Sequence, residues 1–299
     1  SVDKRVVKNK YGYYELVEKP APDELSDYYH NKYYQEGRGS YEISYTPEEI
    51  QYFRNKIAQM YAVIEQLYVN KQCNYRNFLD VGCGEGWSLQ YFREKGWHIT
   101  GLDYSEFGCS KQNPACRESV LAGDIYLNIE GLKLSGRRYD VILLDNVLEH
   151  VTEPFSLLES CKSLLQDDGV LIIEVPNDFS TVQEHFVTQG IVSHPYWISV
   201  PDHISYFSRE GLIALCKEAE LHCDFLMADF PIEWNLFNEQ LNYVEDRSKG
   251  KSCHQARVNI ENFLHAISLE KTVELYRVLA DLGMGRCLTG FFRVTSSYN

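Results

Sequence analysis

Phe78-Leu79-Asp80-Val81-Gly82-Cys83-Gly84-Glu85-Gly86 is the stretch that decides the fold. A short apolar run reads as a buried strand, three glycines at alternate positions follow it, and Ser88–Lys95 then reads as a helix. Glycine lets the backbone turn sharply and lets a ligand approach it closely. The helix points its unpaired N–H groups into the same crevice, which is where open α/β sheets bind ligands. A second strand, Ile99-Thr100-Gly101-Leu102, ends at Asp103, 21 residues after Gly82. A carboxylate at that strand tip can accept hydrogen bonds from both hydroxyls of a ribose. Strand, glycine loop and acid at this spacing predict a nucleoside site. A dinucleotide site of the GxGxxG kind needs its third glycine at position 87. Trp87 stands there, where helix and strand must pack tightly, and the glycine is Gly86.

Outward from this loop, strands and helices alternate. A third strand is expected at Val120–Ala122, a fourth at Val141–Leu144 with a helical stretch from Val147–Glu149, and a strongly apolar fifth at Val170–Val175 after Gly169. Such alternation means a parallel sheet covered on both faces. Ser208–Glu220 reads as a helix capped by Ser208, with Leu212, Ile213, Leu215 and Cys216 on one face. His222–Met227 is the sixth strand and Leu288–Val294 the last. The long connection between them carries helical patterns at Ala256–Ile267 and Glu270–Leu282, and connections of that length usually carry function. The N-terminal region is rich in tyrosine (Tyr11, Tyr13, Tyr14, Tyr28, Tyr29, Tyr33 and Tyr34). A helix begins after Thr46-Pro47-Glu48-Glu49, a cap followed by proline and two acids. Its apolar stripe Phe53, Ile57, Met60, Ile64 and Leu67 has helical spacing. Four regions result: an N-terminal helical extension or lid (1–72), a core (73–229), an inserted helical substrate-binding subdomain (230–283) and the last core strand (284–299).

The chain has 299 residues, 44% hydrophobic and 24% charged, ordinary values for a packed globular protein. It holds no run of about 18 apolar residues, so no transmembrane helix is expected, and its first residues lack the apolar run of a secretory signal. The net charge of −14 argues against nucleic acid, whose binders gain affinity by neutralising phosphates. A small-molecule acceptor, no nucleic acid and no membrane are therefore expected. Nine cysteines, none in a CxxC pair, fit a reducing cytoplasm better than a disulfide scaffold, and no three ligands have metal spacing.

The acid-x-Gly-x-Gly-x-Gly spacing from Asp80 to Gly86 resembles the first motif of class I methyltransferases that use S-adenosylmethionine (SAM). Ala122-Gly123-Asp124-Ile125 looks like the family's third-strand element, and Tyr139–His150 is very similar to its fourth-strand motif in small-molecule enzymes. Leu164–Ile173 looks like the fifth, and Pro201–Ser208 resembles a histidine-bearing segment of one bacterial branch. The resemblance covers roughly residues 75–230 and the last strand. It implies an α/β, Rossmann-like, doubly wound seven-stranded sheet with the two additions above. It also implies SAM as cofactor and S-adenosylhomocysteine (SAH) as product. Asp80 and the Gly82, Cys83, Gly84 and Gly86 backbone would line the methionine part. Asp103 and Tyr104 would lie at the ribose, Asp124 and Ile125 at the adenine, and Asp145 and Asn146 near the transferred methyl.

A sulfonium methyl is already activated, so the enzyme must mainly align a nucleophile with it. A hydroxyl acceptor must also lose a proton, and histidine is the natural base. His203 is the preferred base, His150 and Asp145 are further catalytic candidates, and His185 and His194 lie in a loop that can act as a lid. Asp145 reads equally well as a helix cap. In the insertion Lys251, His254 and Arg257 fall close to one helical face, which suggests an anion site for a phosphorylated or nucleotide-linked acceptor; Tyr243 and Tyr206 are added as substrate contacts. The resemblance implies bacterial enzymes that modify sugars or related metabolites in surface-polysaccharide or natural-product pathways, and O-methylation is the reaction expected first. N- or C-methylation of an amino or keto sugar is the alternative. An NAD-dependent sugar oxidoreductase or epimerase is opposed by Trp87 and by the lack of a Tyr-x-x-x-Lys pair after the fourth strand. A non-catalytic SAM-binding partner would carry the same cofactor motifs. Residues 1–45 and the insertion are expected to close over the acceptor.

Overall fold

The computed structural model describes residues 3–21, 24, 44–68 and 76–295. Tyr28, Tyr29, Tyr33, Tyr34 and Cys73 lie outside the described residues, as does most of the 1–45 segment expected to cover the acceptor.

Seven strands make the main sheet: β3 (Asn77–Val81), β4 (His98–Asp103), β5 (Val120–Ala122), β6 (Tyr139–Asp145), β7 (Leu165–Pro176), β9 (Leu221–Ala228) and β10 (Cys287–Val294). Their order is β5-β4-β3-β6-β7-β10-β9, so the chain starts in the middle, runs to one edge, and returns to build the other half. β3 pairs in parallel with both β4 and β6, and β10 pairs antiparallel to β9. Phe78, Leu79, Val141, Ile142, Val170 and Ile172 are fully buried, as strands covered on both faces require.

The helix after Thr46, α1 (Pro47–Leu67), has the expected cap: Thr46 Oγ accepts from Glu49 N, and the Glu49 carboxylate accepts from Thr46 N. Ile57, Met60, Val63 and Ile64 are its buried apolar positions, while Phe53 and Leu67 are half-buried. Helix α2 (Trp87–Glu94) follows the glycine loop; α3 (Phe107–Gln112), α4 (Ile125–Leu134), α5 (Pro154–Leu164), α6 (Thr181–Thr188) and α7 (Arg209–Glu218) complete the alternation. Ser208 caps α7 through Gly211 N. The 230–283 segment is helical, with α8 (Gly250–Ile267) and α9 (Leu269–Asp281) after three 3₁₀ turns.

The N-terminal region departs from the helical expectation. Its first described residues form β1 (Val6–Lys8) and β2 (Tyr14–Leu16), which join β8 (Ser205–Tyr206) in a small sheet of order β1-β2-β8. Tyr13 lies over Phe207, ring centroids 4.6 Å apart, and a Cβ at Gly211 would stand 2.9 Å from Tyr13 Cβ, so the glycine lets the hairpin sit flush on α7.

Contacts divide the chain into two compact units. One contains Glu18–Asp145 and Ser156–Ile172; the other contains the hairpin, Asn146–Phe155 and the chain from Ile173 onward. The eight described cysteines are free, and no helix among the described residues is long and apolar enough to cross a membrane.

Candidate active site

The first unit carries the glycine loop. Gly82 N and Cys83 N donate to Leu102 O (2.7 and 3.0 Å), and Gly84 N donates to Asp103 Oδ2 (2.9 Å), so the loop is pinned to the tip of β4. Ser105 N donates to the other oxygen, Asp103 Oδ1, at 3.2 Å. An ionised carboxylate offers about four acceptor positions, so one backbone bond per oxygen leaves room for two ribose hydroxyls. Gly86 closes the loop with φ +75°, a left-handed conformation, and a Cβ there would stand 2.7 Å from Cys109 Sγ. Both facts require glycine.

Asp80 is 3% exposed beneath this loop. The Ser88 hydroxyl donates to its Oδ2, and its Oδ1 has no hydrogen-bond partner among the described residues. Burial pushes its carboxyl up to about 7; the Ser88 bond opposes the shift, and the charges of Asp145 and Asp103 add to it. A buried acceptor with an open oxygen suits a cationic ligand group. Burial also raises Asp103, against the hydrogen bonds from Gly84 and Ser105.

Asp145 ends β6, where Lys56 Nζ from α1 donates to both of its oxygens at 2.9 and 3.0 Å. The 3₁₀ turn Leu148–His150 that follows has Val147 at its N-cap position, and Asp145 is held in an ion pair with Lys56. Lys56 was not among the residues expected here, because 89 positions separate the pair. Glu85 is similarly held: the Tyr45 hydroxyl donates to both its oxygens at 2.9 and 3.0 Å, and Trp87 Nε1 donates at 3.0 Å. The Trp87 ring tilts against Phe53, centroids 5.4 Å apart, so the residue that blocks a dinucleotide loop anchors α1 to α2.

Gly123 N donates to Asp103 O (2.9 Å), which brings the third-strand element to Asp103. Asp124 is exposed and caps α4, its Oδ1 accepting from Leu127 N at 2.9 Å; Ile125 is buried. Tyr104 is 46% exposed beside Asp103, its phenol raised by burial and then by the charges of Asp124 and Asp103. Asp80, Gly82, Cys83, Gly84, Gly86, Asp103, Tyr104, Asp124, Ile125 and Asp145 therefore belong to one unit. Asn146 follows in the other, with φ 53°, its N donating to Glu174 O (3.0 Å).

The second unit brings together Glu149, His150 and His203. The two imidazoles are nearly perpendicular, centroids 4.9 Å apart. His150 Nδ1 lies 2.6 Å from Asp202 O; a carbonyl can only accept, so Nδ1 carries the proton and Nε2 is the basic nitrogen. Nε2 lies 3.7 Å from the buried carboxylate of Glu149. His203 N donates to Ser199 O (2.8 Å), and the buried Tyr206 donates its hydroxyl to His203 O (2.9 Å). Tyr206, expected to touch the acceptor, thus holds the histidine loop. One ligand atom each from Glu149, His150 and His203 lies within 4.8 Å of the others. Two imidazoles and a carboxylate are a donor set that can hold a divalent ion. The chain order hid this trio, since His203 stands far from the adjacent Glu149 and His150. His185 packs on Phe186 and Phe237, and His194 bonds the Ser193 hydroxyl, so neither joins the pair.

The expected anion site does not form. Arg257 turns inward, 13% exposed, and pairs with Asp229 and Glu261, while Lys251 and His254 are exposed. Tyr243 is half-buried and feels the charges of Glu233 and Arg286, with burial the larger cause of its raised phenol.

A mostly parallel sheet with a glycine loop pinned to an acid at the adjacent strand tip is the arrangement of an α/β protein of the Rossmann-like class. A family model described as a methyltransferase domain matches residues 48–224, and the chain belongs to that family. It is a class I methyltransferase, and SAM is its methyl donor. Over 160 residues it is 28% identical to a ubiquinone biosynthesis O-methyltransferase of Haemophilus ducreyi, covering 50% of this chain and 66% of that one. Over 134 residues it is 30% identical to the enzyme of the same name from Histophilus somni, covering 42% and 54%. The chain thus spans between half and two thirds of the length of these two relatives. Among solved structures, the plantazolicin methyltransferase BamL, described in complex with a triazolic desmethylPZN analog and SAH, shares the fold with a TM-score of 0.50 at 14% identity, covering 93% of this chain and 92% of that one. The family match ends at residue 224, so the helical insertion lies outside it.

Proposed function

We propose that the chain methylates a hydroxyl oxygen of a small polar metabolite, a sugar or a related molecule, with the His150–His203 pair as its base. The observation that carries the reading is the fixed tautomer of His150 beside His203 and Glu149. SAM supplies a methyl group activated by its sulfonium. Asp103 would hold the ribose hydroxyls, and Asp80 and the loop amides would take the methionine end. An imidazole of the pair would take the proton of the acceptor hydroxyl as that oxygen is methylated, so that the products would be a methyl ether, SAH and an imidazolium. Glu149, 1% exposed, steadies that positive charge. O-methylation is also favoured by the names of the two relatives. A nucleotide-linked acceptor loses its support with the inward turn of Arg257.

A second reading has a specific observation behind it: Glu149, His150 and His203 would hold a divalent ion, which as a Lewis acid would ease loss of the acceptor's proton. Dialysis against EDTA separates the two. Full turnover afterwards favours the histidine base, and loss restored by added Mg²⁺ or Zn²⁺ favours the metal.

The first test is calorimetric titration with SAH, with NAD as control. The expected result is micromolar SAH binding, no NAD binding, and loss of SAH binding in Asp103→Ala. NAD binding in place of SAH would overturn the reading. His203→Ala is expected to lower kcat by about 10²-fold or more with SAH affinity unchanged; full activity would remove His203 from the mechanism.

A further inference from the structure

Arg286 gathers a second group of charged side chains within the unit that begins at Ile173. Its Nη1 lies 3.2 Å from Asp178 Oδ1, and its Nε lies 3.9 Å from Glu233 Oε1. Asp178 and Glu233 are fully buried. Both oxygens of Glu233, Oδ2 of Asp178 and the Tyr196 hydroxyl are buried with no hydrogen-bond partner among the described residues. Folded proteins leave few such atoms unpaired, and each asks for an explanation.

A neighbouring network shows what satisfaction looks like here. Asp229 accepts from Arg286 N, Cys287 N and Arg257, and Glu261 accepts from Arg257 and from the Tyr276 hydroxyl. Across both networks two guanidiniums face four carboxylates, and the unmet acceptors all fall on the Glu233 side. The missing partner must donate several hydrogen bonds and carry positive charge. Water would supply donors and leave the excess negative charge buried, which is costly. A primary ammonium supplies three N–H donors on one atom together with one positive charge.

We propose that Glu233, Asp178 and Tyr196 form a binding site for a primary ammonium group on a small molecule. The Arg286 side chain is 26% exposed and keeps the site in reach of solvent. Tyr196 packs against two apolar clusters, one of which Tyr243 also joins, and the charges of Glu233 and Asp178 reach its phenol. Gln183 lies beside Asp178. Burial raises both acids, Asp178 to about 6, and Arg286 opposes the shift in each; a bound ammonium would favour their ionised forms in the same way. An ammonium held by carboxylates has its lone pair tied up by a proton. The group is therefore a handle by which the molecule is recognised and is not the atom that is methylated. That the molecule is the methyl acceptor rests on the methyl-transfer reading above; the site itself does not.

The test uses the whole chain at pH 8 and follows thermal unfolding with methylammonium chloride. Tetramethylammonium chloride, with charge but no N–H, and ethylene glycol, with hydroxyls but no charge, are the controls. Methylammonium alone is expected to raise Tm, saturably and by roughly 2 °C or more. The shift is expected to vanish in Glu233→Gln and to shrink in Asp178→Asn, while SAH binding stays within twofold of wild type. No shift from methylammonium, an equal shift from either control, or an undiminished shift in Glu233→Gln would each overturn the proposal. Failure of SAH to bind would sink the methyl-transfer reading and leave the ammonium result standing.

Discussion

Asp80 is buried under the loop, and its charge is the costliest in the cradle. Burial outweighs the Ser88 hydrogen bond and nearby Lys56, and Asp145 and Asp103 add repulsion, so its carboxyl titrates near 7. A cation beside its open Oδ1 would pull that value down, so binding of SAM or SAH should release a proton near neutral pH. Calorimetry in buffers of different ionisation heat measures this. Proton release that falls in Asp80→Asn supports the argument, and equal release in both proteins removes it. Lys56 is the next residue to test. Without its ammonium, Asp145 would add its charge unopposed to Asp80 and Asp103 across the cradle. Lys56→Met is expected to weaken SAH binding about tenfold, on the order of 1.4 kcal/mol. Unchanged affinity would make the ion pair a purely structural brace.

Helix α1 holds Lys56 and the aromatic contacts of Trp87, so its first turn matters to the site. Thr46→Ala removes the capping box and should cost about 1 kcal/mol of stability, read by urea denaturation; a loss below about 0.3 kcal/mol would mean the cap is redundant with the contacts of Tyr45 and Phe53. That helix was legible in the sequence because cap, proline, acids and apolar spacing agree, and so were β3, β4 and the glycine loop between β3 and α2. What was not legible depended on partners far along the chain. The β1–β2 hairpin has three-residue strands, too short for a period, and its third strand lies at Ser205–Tyr206. Lys56 meets Asp145, and His203 meets His150, only after folding. Arg257 carried the expected helical spacing, but Asp229 and Glu261 draw its guanidinium inward while Lys251 and His254 stay exposed. Periodicity marks positions on a helix, and the packing of its neighbours decides which of them point to solvent.

At the scale of the whole molecule the raised acids act together. Asp80 and Asp178 titrate near 7 and 6, and burial also raises Asp103 and Glu233, whereas unfolded carboxyls titrate near 4. Between about pH 4 and pH 7 the folded chain therefore binds more protons than the unfolded chain, and stability falls as pH rises through that window. The lowered acids, such as Asp3, Glu94, Glu245 and Glu274, are on the surface and oppose this only weakly. A net charge of −14 works in the same direction, since deprotonation adds to a repulsion already present. The ligand-free chain should thus be more stable at pH 6 than at pH 8, by about 2 kcal/mol from Asp80 and Asp178. Urea denaturation across that range measures the slope. Asp80→Asn should flatten it, because the amide keeps the shape and has no charge to bury, and SAH should flatten it too if a cation takes over the neutralisation of Asp80. A wild-type curve that is level or rises toward pH 8 would mean that these carboxylates are solvated or paired in solution, and the argument for cationic ligands at both Asp80 and Glu233 would lose its electrostatic ground.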